Sequence, residues 1–140
     1  MNTDLIDIKI RAVEGGVTAA AGFKAAGIHA GFRKNPERLD YALVVPDKPC
    51  PGAGVFTTNR FCAAPVQVSR ANLGGADKGY GIIAGVSINS GNANAATGET
   101  GLACARETCS IASQVIGCEP QQILVASTGV IGQILPIDTF

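Results

Sequence analysis

The sequence predicts an α/β fold, an α+β layered sandwich in which several short strands pack against one clear helix. Short apolar or alternating runs recur between clusters of Gly, Pro and Asn, which is the pattern of strands separated by turns. Only residues 102–116 repeat apolar side chains at three- and four-residue steps, as an amphipathic helix does. The 18 Gly are nearly double the usual share of about 7% and call for many tight turns or close backbone approaches. A chain of 140 residues is a single domain, 1–140, able to bury roughly two thirds of its unfolded surface.

Ile6, Ile8 and Ile10 alternate with Asp7 and Lys9, a period of two that predicts a half-buried leading strand. Gly15-Gly16 interrupts it. From Val17 to Phe32, Gly22, Gly27 and Gly31 disfavour a long helix, since each interior glycine costs about 1 kcal/mol relative to Ala, and a strand with a bend is expected. Arg33 to Arg38 is a charged, Pro-containing turn with the composition of a solvated loop, and Tyr41 to Val45 is a strand run closed by Pro46. Pro49 and Pro51 mark a turn before Gly54 to Asn59, where β-branched and aromatic residues predict another strand. Thr57, Thr58, Asn59 and Arg60 could line a site, and equally could be a strand ending in an Asn-led turn.

Ala64 to Ser69 has strand character, with Pro65 near the start where a ladder N–H is least missed. A polar, Gly-rich loop follows from Ala71 to Gly81, and then Ile82 to Ile88 as a buried strand running into the loop Asn89 to Gly98. In the helix, Leu102, Ala105, Cys109, Ala112 and Ile116 form the apolar stripe. Thr97 or Thr100 can cap its start, and Gly117 supplies a left-handed residue at its end. Beyond Pro120, Ile123 to Ala126 is a short buried strand.

Eleven Lys plus Arg balance eleven Asp plus Glu, so the chain carries neither a nucleic-acid footprint nor a steering field, and a small-molecule ligand fits better. No run approaches the roughly eighteen apolar residues of a membrane span, and Met1 to Arg11 lacks the basic, then apolar, pattern of a leader. No membrane association and a cytoplasmic location are expected. The five cysteines, Cys50, Cys62, Cys104, Cys109 and Cys118, are odd in number and contain no C-x-x-C pair, against both a disulfide framework and a zinc site. Cys104, Cys109 and Cys118 are expected to act as small hydrophobes near the core. His29, the only histidine, is read as structural, so a Ser-His-Asp triad or a His-ligated metal lacks its usual groups.

The stretch Ser127-Thr128-Gly129-Val130-Ile131-Gly132 is the candidate site. Thr128 offers a hydroxyl, and Gly129 can present its N–H in conformations denied to other residues. Two donors aimed at one point are the minimum of an oxyanion hole, although Thr-Gly alone is more often a strand-to-loop turn. In Asn89 to Gly98, Asn92 and Asn94 could present amides to an anion at a helix N-terminus, or hydrogen-bond their own loop as an internal scaffold beneath the site. That loop lacks both the Gly-Lys-Ser/Thr ending of a P-loop and a G-x-G-x-x-G fingerprint.

The segments Gly15-Gly16-Val17-Thr18-Ala19, Gly22-Phe23-Lys24-Ala25-Ala26-Gly27-Ile28, Gly54-Val55-Phe56-Thr57-Thr58-Asn59, Ala63-Ala64-Pro65-Val66, Asn89-Ser90-Gly91-Asn92-Ala93-Asn94-Ala95 and Ser127-Thr128-Gly129-Val130-Ile131-Gly132, with Leu135-Pro136, occur in this order. Together they resemble the N-terminal part of the α chain of ornithine acetyltransferases, the bifunctional glutamate N-acetyltransferases of arginine biosynthesis. The resemblance implies a precursor that cuts itself before a Thr into α and β chains. That Thr becomes the nucleophile, with its freed amino group or a nearby water as base. Acetyl would pass from N-acetylornithine to the Thr and then to glutamate, with no cofactor. Acetyl-CoA would enter as a substrate in bifunctional members. On the family's pattern, Thr128 and Gly129 are the oxyanion-hole pair, and the partner is a β chain from the same precursor in an α2β2 assembly.

The autolysis segment of that family, resembling Met-Ala-Thr-Met or Met-Ala-Thr-Leu, is absent up to Phe140, as is the β chain. The expectation is a fragment that holds the oxyanion hole and lacks the nucleophile. Two other functions compete: a self-cleaving aminopeptidase of similar architecture, and a non-catalytic ligand-binding or interaction module.

Overall fold

The computed structural model describes residues 10–140, and the strand expected around Ile6 and Ile8 lies outside them. The elements run β1 (Phe23–Ile28), β2 (Tyr41–Pro46), β3 (Cys50–Ala53), α1 (Ala64–Asn72), α2 (Gly75–Lys78), β4 (Tyr80–Ile83), β5 (Gly85–Asn92), α3 (Gly98–Ile116) and β6 (Ile123–Val130), with short 3-10 turns at Gly16–Ala19, Pro120–Gln122 and Ile137–Thr139. A four-stranded sheet has the order β1-β2-β5-β6, and β3 and β4 form a separate two-stranded ribbon. The β1/β2 and β2/β5 pairs are antiparallel, whereas β5 and β6 are parallel because α3 carries the chain back between them.

Helices α1 and α3 share one face of the large sheet. Ala64 and Val68 of α1, Ala105, Cys109 and Ala112 of α3, and Ile123 and Val125 of β6 form the core, with Leu43, Leu102, Ile116 and Cys118 packed around it. Small side chains let the two helices approach closely. On the opposite face, Val44, Val86, Ile88 and Leu124 are only half-buried.

Helix α1 also finishes the edge of the sheet. Ser69 Oγ donates to Val125 O at 2.8 Å and accepts from Val125 N at 3.0 Å, and Asn72 Nδ2 donates to Ile123 O at 2.7 Å. Side chains thereby satisfy the edge groups of β6 that another strand would otherwise pair.

Several elements differ from the sequence expectation, each for a local reason. Ala64–Asn72 is a second regular helix rather than a strand: Pro65 sits in its first turn, where no N–H is needed, and Ala64/Val68 and Pro65/Ser69 are buried at four-residue steps. Residues 54–59 are not a strand. Thr57 Oγ1 takes the Asn59 N–H at 3.1 Å, Asn59 Oδ1 takes the Phe61 N–H at 2.9 Å, and Arg70 Nη2 reaches Thr57 O at 2.6 Å, so side chains bind the backbone in place of a ladder. The strand lies just before, at Cys50–Ala53, and Pro51 is tolerated because the ribbon has only one partner strand.

Residues 17–28 divide into the Gly16–Ala19 turn and β1, and the expected loop 71–81 contains the end of α1, α2 and the start of β4. The run Ile82 to Ile88 splits at Ala84, whose N–H bonds Gln122 O at 2.8 Å. The α3 stripe and its end agree with expectation, with Ala105, Cys109 and Ala112 buried and Gly117 closing the helix at φ 80°. Thr97 at the N-cap position, however, makes no side-chain cap bond and donates instead to Asn94 Oδ1, and Thr100 lies within the helix.

All five cysteines are free thiols. Burial pushes the Cys109 thiol up to about 11, against the lowering effect of the Asn72 side chain. Cys109 should therefore react with a thiol reagent at about pH 8 far more slowly than half-buried Cys62, as read by mass spectrometry of the folded protein. Ile123, fully excluded from solvent, should cost roughly 2–5 kcal/mol of stability as Ile123→Ala in a denaturant titration.

Candidate functional site

Strand β6 continues through Ser127 to Val130, so Thr128 and Gly129 occupy the end of a paired strand rather than a turn after it. Both are exposed. Thr128 lies opposite Ser90 and Gly129 opposite Gly91, and the register then slips, with Asn92 facing both Thr128 and Val130. This irregularity is a bulge built on two glycines. Gly91 has φ 118° and Gly129 φ 137°, values that side chains rarely permit. A Cβ on Gly129 would overlap Gly91 C, Gly91 O and Asn92 N, all backbone atoms that cannot rotate away.

The Asn loop braces this bulge from the interior. Asn92 Nδ2 donates to Gln133 O at 3.2 Å and Ile134 O at 3.1 Å, and its Oδ1 accepts Asn94 N at 2.7 Å. Asn89 Nδ2 donates to Asn92 O at 2.9 Å. Asn94 Nδ2 bonds Gly101 O at 2.9 Å in the first turns of α3, while its Oδ1 accepts Thr97 Oγ1 at 2.9 Å. All three asparagines are buried. Their amides are committed to the protein, which assigns Asn92 and Asn94 to the scaffold rather than to ligand binding. Asn94 adopts φ 46°, a left-handed conformation that Asn accepts more readily than most side chains.

The charged turn from Arg33 to Arg38 differs most from its expected role as a solvated loop. Asp40 is buried, and its carboxylate accepts Ala30 N at 2.6 Å and Arg33 N at 2.7 Å. Arg33 donates through Nε at 2.9 Å and Nη2 at 2.5 Å to Ser90 Oγ, one residue before the glycine bulge. His29 is structural, its Nδ1 lying 3.1 Å from Arg38 O and 3.3 Å from Asp40 Oδ2. Burial alone would push the Asp40 carboxyl up. The Ala30 and Arg33 N–H bonds, the neighbouring His29 and the Gly31 N–H outweigh it and hold the group below the usual carboxylate value. Sequence reading missed Asp40 and Arg33 as parts of the site; an acidic residue directly before an apolar strand run was the only signal.

A cleft of about 360 Å³ opens beside the strand end, lined among others by Arg60, Phe61, Ala95, Thr97, Glu99 and Ile131. Next to it lies a cleft of about 740 Å³, where Thr57, Thr58, Asn59 and Arg60 do line a wall, together with Arg70 and Lys78. Among the described residues no group of three His, Cys, Asp or Glu is placed to hold a metal ion, and no helix is long and apolar enough to cross a membrane.

Residues 24–140 match the ArgJ family. Among curated proteins, the chain is 46% identical over 126 residues to the arginine biosynthesis bifunctional protein ArgJ of Dehalococcoides mccartyi, covering 89% of this chain and 30% of that protein. It is 50% identical over 123 residues to its namesake from Bifidobacterium longum, covering 87% and 30%. The chain thus spans about three tenths of the length of these relatives. Among solved structures, the bifunctional protein ArgJ of Bacillus halodurans superimposes with a TM-score of 0.80 at 36% identity, over 89% of this chain and 62% of that one. The ornithine acetyltransferase of Mycobacterium tuberculosis, crystallised with ornithine, gives 0.76 at 39% identity, over 89% and 64%.

Gly129→Ala should lower stability by about 2 kcal/mol or more, through both its overlap with Gly91 and its positive φ, in the same denaturant assay. Asp40 has a lowered folded pKa, so its contribution is present above the ordinary carboxylate range and is lost as pH falls through the lowered value. Asp40→Asn should therefore reduce stability near neutrality and flatten its decline below about pH 4, measured by urea titrations across that range.

Proposed function

The chain belongs to the ArgJ family, and on that premise we propose that these residues form the oxyanion-hole half of an enzyme moving acetyl from N2-acetyl-L-ornithine to L-glutamate. The nucleophile is a threonine supplied from outside these 140 residues. Its hydroxyl oxygen attacks the acetyl carbonyl carbon, and the carbonyl electron pair moves onto oxygen. The Thr128 hydroxyl and Gly129 N–H donate to that oxygen. As the oxyanion collapses, the C–N bond breaks, the amine takes a proton and ornithine leaves an acetyl-threonine ester. The amine of glutamate attacks the ester, a second oxyanion forms at the same two donors, and N-acetylglutamate departs with the threonine restored.

The base is the α-amino group of the nucleophilic threonine or water beside it, which suits a chain whose single histidine is tied to Arg38 and Asp40. The cycle needs no cofactor, and acetyl-CoA, where it is used, enters as a substrate. The working assembly is this α-chain segment with a β chain from the same precursor, as α2β2.

The observation that carries this function is the glycine bulge beside an exposed threonine. In a regular strand a side chain leaves the sheet at right angles to the adjacent backbone donors, and the two do not meet. At Gly129 the positive φ and the register slip interrupt that regular geometry right beside the exposed Thr128, which supports the reading that the two groups serve one oxygen.

Thr128→Ala in the enzyme with its two chains already separated should lower kcat by roughly a hundredfold or more with little change in KM, while Thr128→Ser keeps much of the rate. Folded Thr128→Ala protein working at the parent rate would return Thr128 to a structural residue. The 140-residue polypeptide by itself should transfer no acetyl from N-acetylornithine to glutamate; turnover proportional to its concentration would contradict the division of labour proposed here.

A further inference from the structure

We infer that Arg33, tied down by Asp40 and Ser90, is a positioning residue for the Gly129 N–H; the inference rests on the oxyanion function proposed for Thr128 and Gly129. Three lengths of backbone are stacked with no room for a side chain between them. A Cβ on Gly91 would come within 2.8 Å of Phe32 O and 3.1 Å of Arg33 Cγ, and a Cβ on Gly129 would overlap Gly91. The strap Ala30 to Arg33 therefore bears on Gly91, and Gly91 bears on Gly129.

Asp40 ties together two of these three lengths, the strap and β5. Its carboxylate binds the strap at Ala30 N and Arg33 N, while its own carbonyl accepts Ser90 N at 2.8 Å in β5. The guanidinium of Arg33 then closes the loop on Ser90 Oγ through two N–H groups. A serine oxygen has two acceptor lone pairs, and the fork uses both, so the remaining Ser90 hydrogen can only donate. Ser90 pairs with Thr128 in register, so the fork grips β5 directly across from the threonine. Oxyanion donors work only when fixed at the correct distance, and a displacement of about 1 Å can cost on the order of a hundredfold in rate. Arg33 supplies that fixity without touching substrate.

The test uses Arg33→Met and Ser90→Ala, singly and together, in the complete enzyme with separated chains. Each single variant should shift the Gly129 amide resonance and speed its hydrogen exchange, and lower kcat roughly tenfold with KM held. The double variant should be no worse than either single one, since both remove the same link. Arg33→Lys keeps the charge but not the fork and should fall between Met and parent; it also serves if Arg33→Met does not fold. A Gly129 amide at its parent position in Ser90→Ala and Arg33→Lys overturns the positioning role, whatever the rate. A shifted amide with kcat at the parent value overturns its catalytic purpose. Parent activity of Thr128→Ala would instead bring down the oxyanion function while leaving the amide measurement intact, which separates the two failures.

Discussion

The contact between Gly91 and Gly129 is the constraint on which the rest of the site depends. Parallel strands normally keep their side chains clear of each other's backbone, yet here any atom beyond hydrogen on Gly129 would collide with Gly91 and Asn92. Two glycines with positive φ, one on each strand, allow the approach. The ladder slips at that point and the chain leaves the sheet, passing back under the Asn loop, where Ala93 N reaches Val130 O at 2.9 Å and Gly132 N reaches Ala95 O at 2.8 Å. Glycine here is required by a backbone-to-backbone approach, a stronger reason than the freedom to turn.

Close backbones give little apolar area to hold them, so polar groups do that work around the bulge. Asn89, Asn92, Asn94, Asp40 and Ser87 are all buried, and no buried side-chain nitrogen or oxygen among the described residues lacks a hydrogen-bond partner. A fully satisfied buried network is strongly directional, because losing one partner leaves another group unpaired at a cost of about 1–3 kcal/mol. The apolar core of Ala, Val, Cys and Ile lies elsewhere, beneath α1 and α3. Stability and geometry are thus divided: the core stabilises the sheet, and the amides and the Asp40–Arg33–Ser90 chain shape its end.

What could be read from the sequence follows from how local each cause is. Helix α3 was legible because five apolar residues and the Gly117 cap lie within one segment, and β2 because five apolar or aromatic residues precede a proline. Helix α1 was not, since Val66 and Val68 alternate as a strand would, and only contact with Ile123 and Val125 selects the four-residue step from Ala64 to Val68. Thr128 and Gly129 stood out through the ordered motifs, whereas Arg33 looked like the start of a charged loop and Asp40 carried no signal beyond preceding an apolar run. Their role depends on Ser90, 57 positions from Arg33, a relation that no local pattern encodes.

The direction of the Thr128 side chain is set from the far end of its own strand. Strand side chains alternate, so burying Ile123 and Val125 toward the helices sends Leu124, Ala126 and Thr128 to the opposite face. A slip of one residue would bury the threonine hydroxyl and expose two core residues. Hydrophobic burial resists that slip, and the edge bonds from α1 fix it in place: Ser69 grips both polar groups of the Val125 backbone, and Asn72 holds Ile123 O. Helix α1, the element least visible in the sequence, therefore locks the pleat of β6 three residues before Thr128, and the glycine bulge acts on a strand whose facing is already decided.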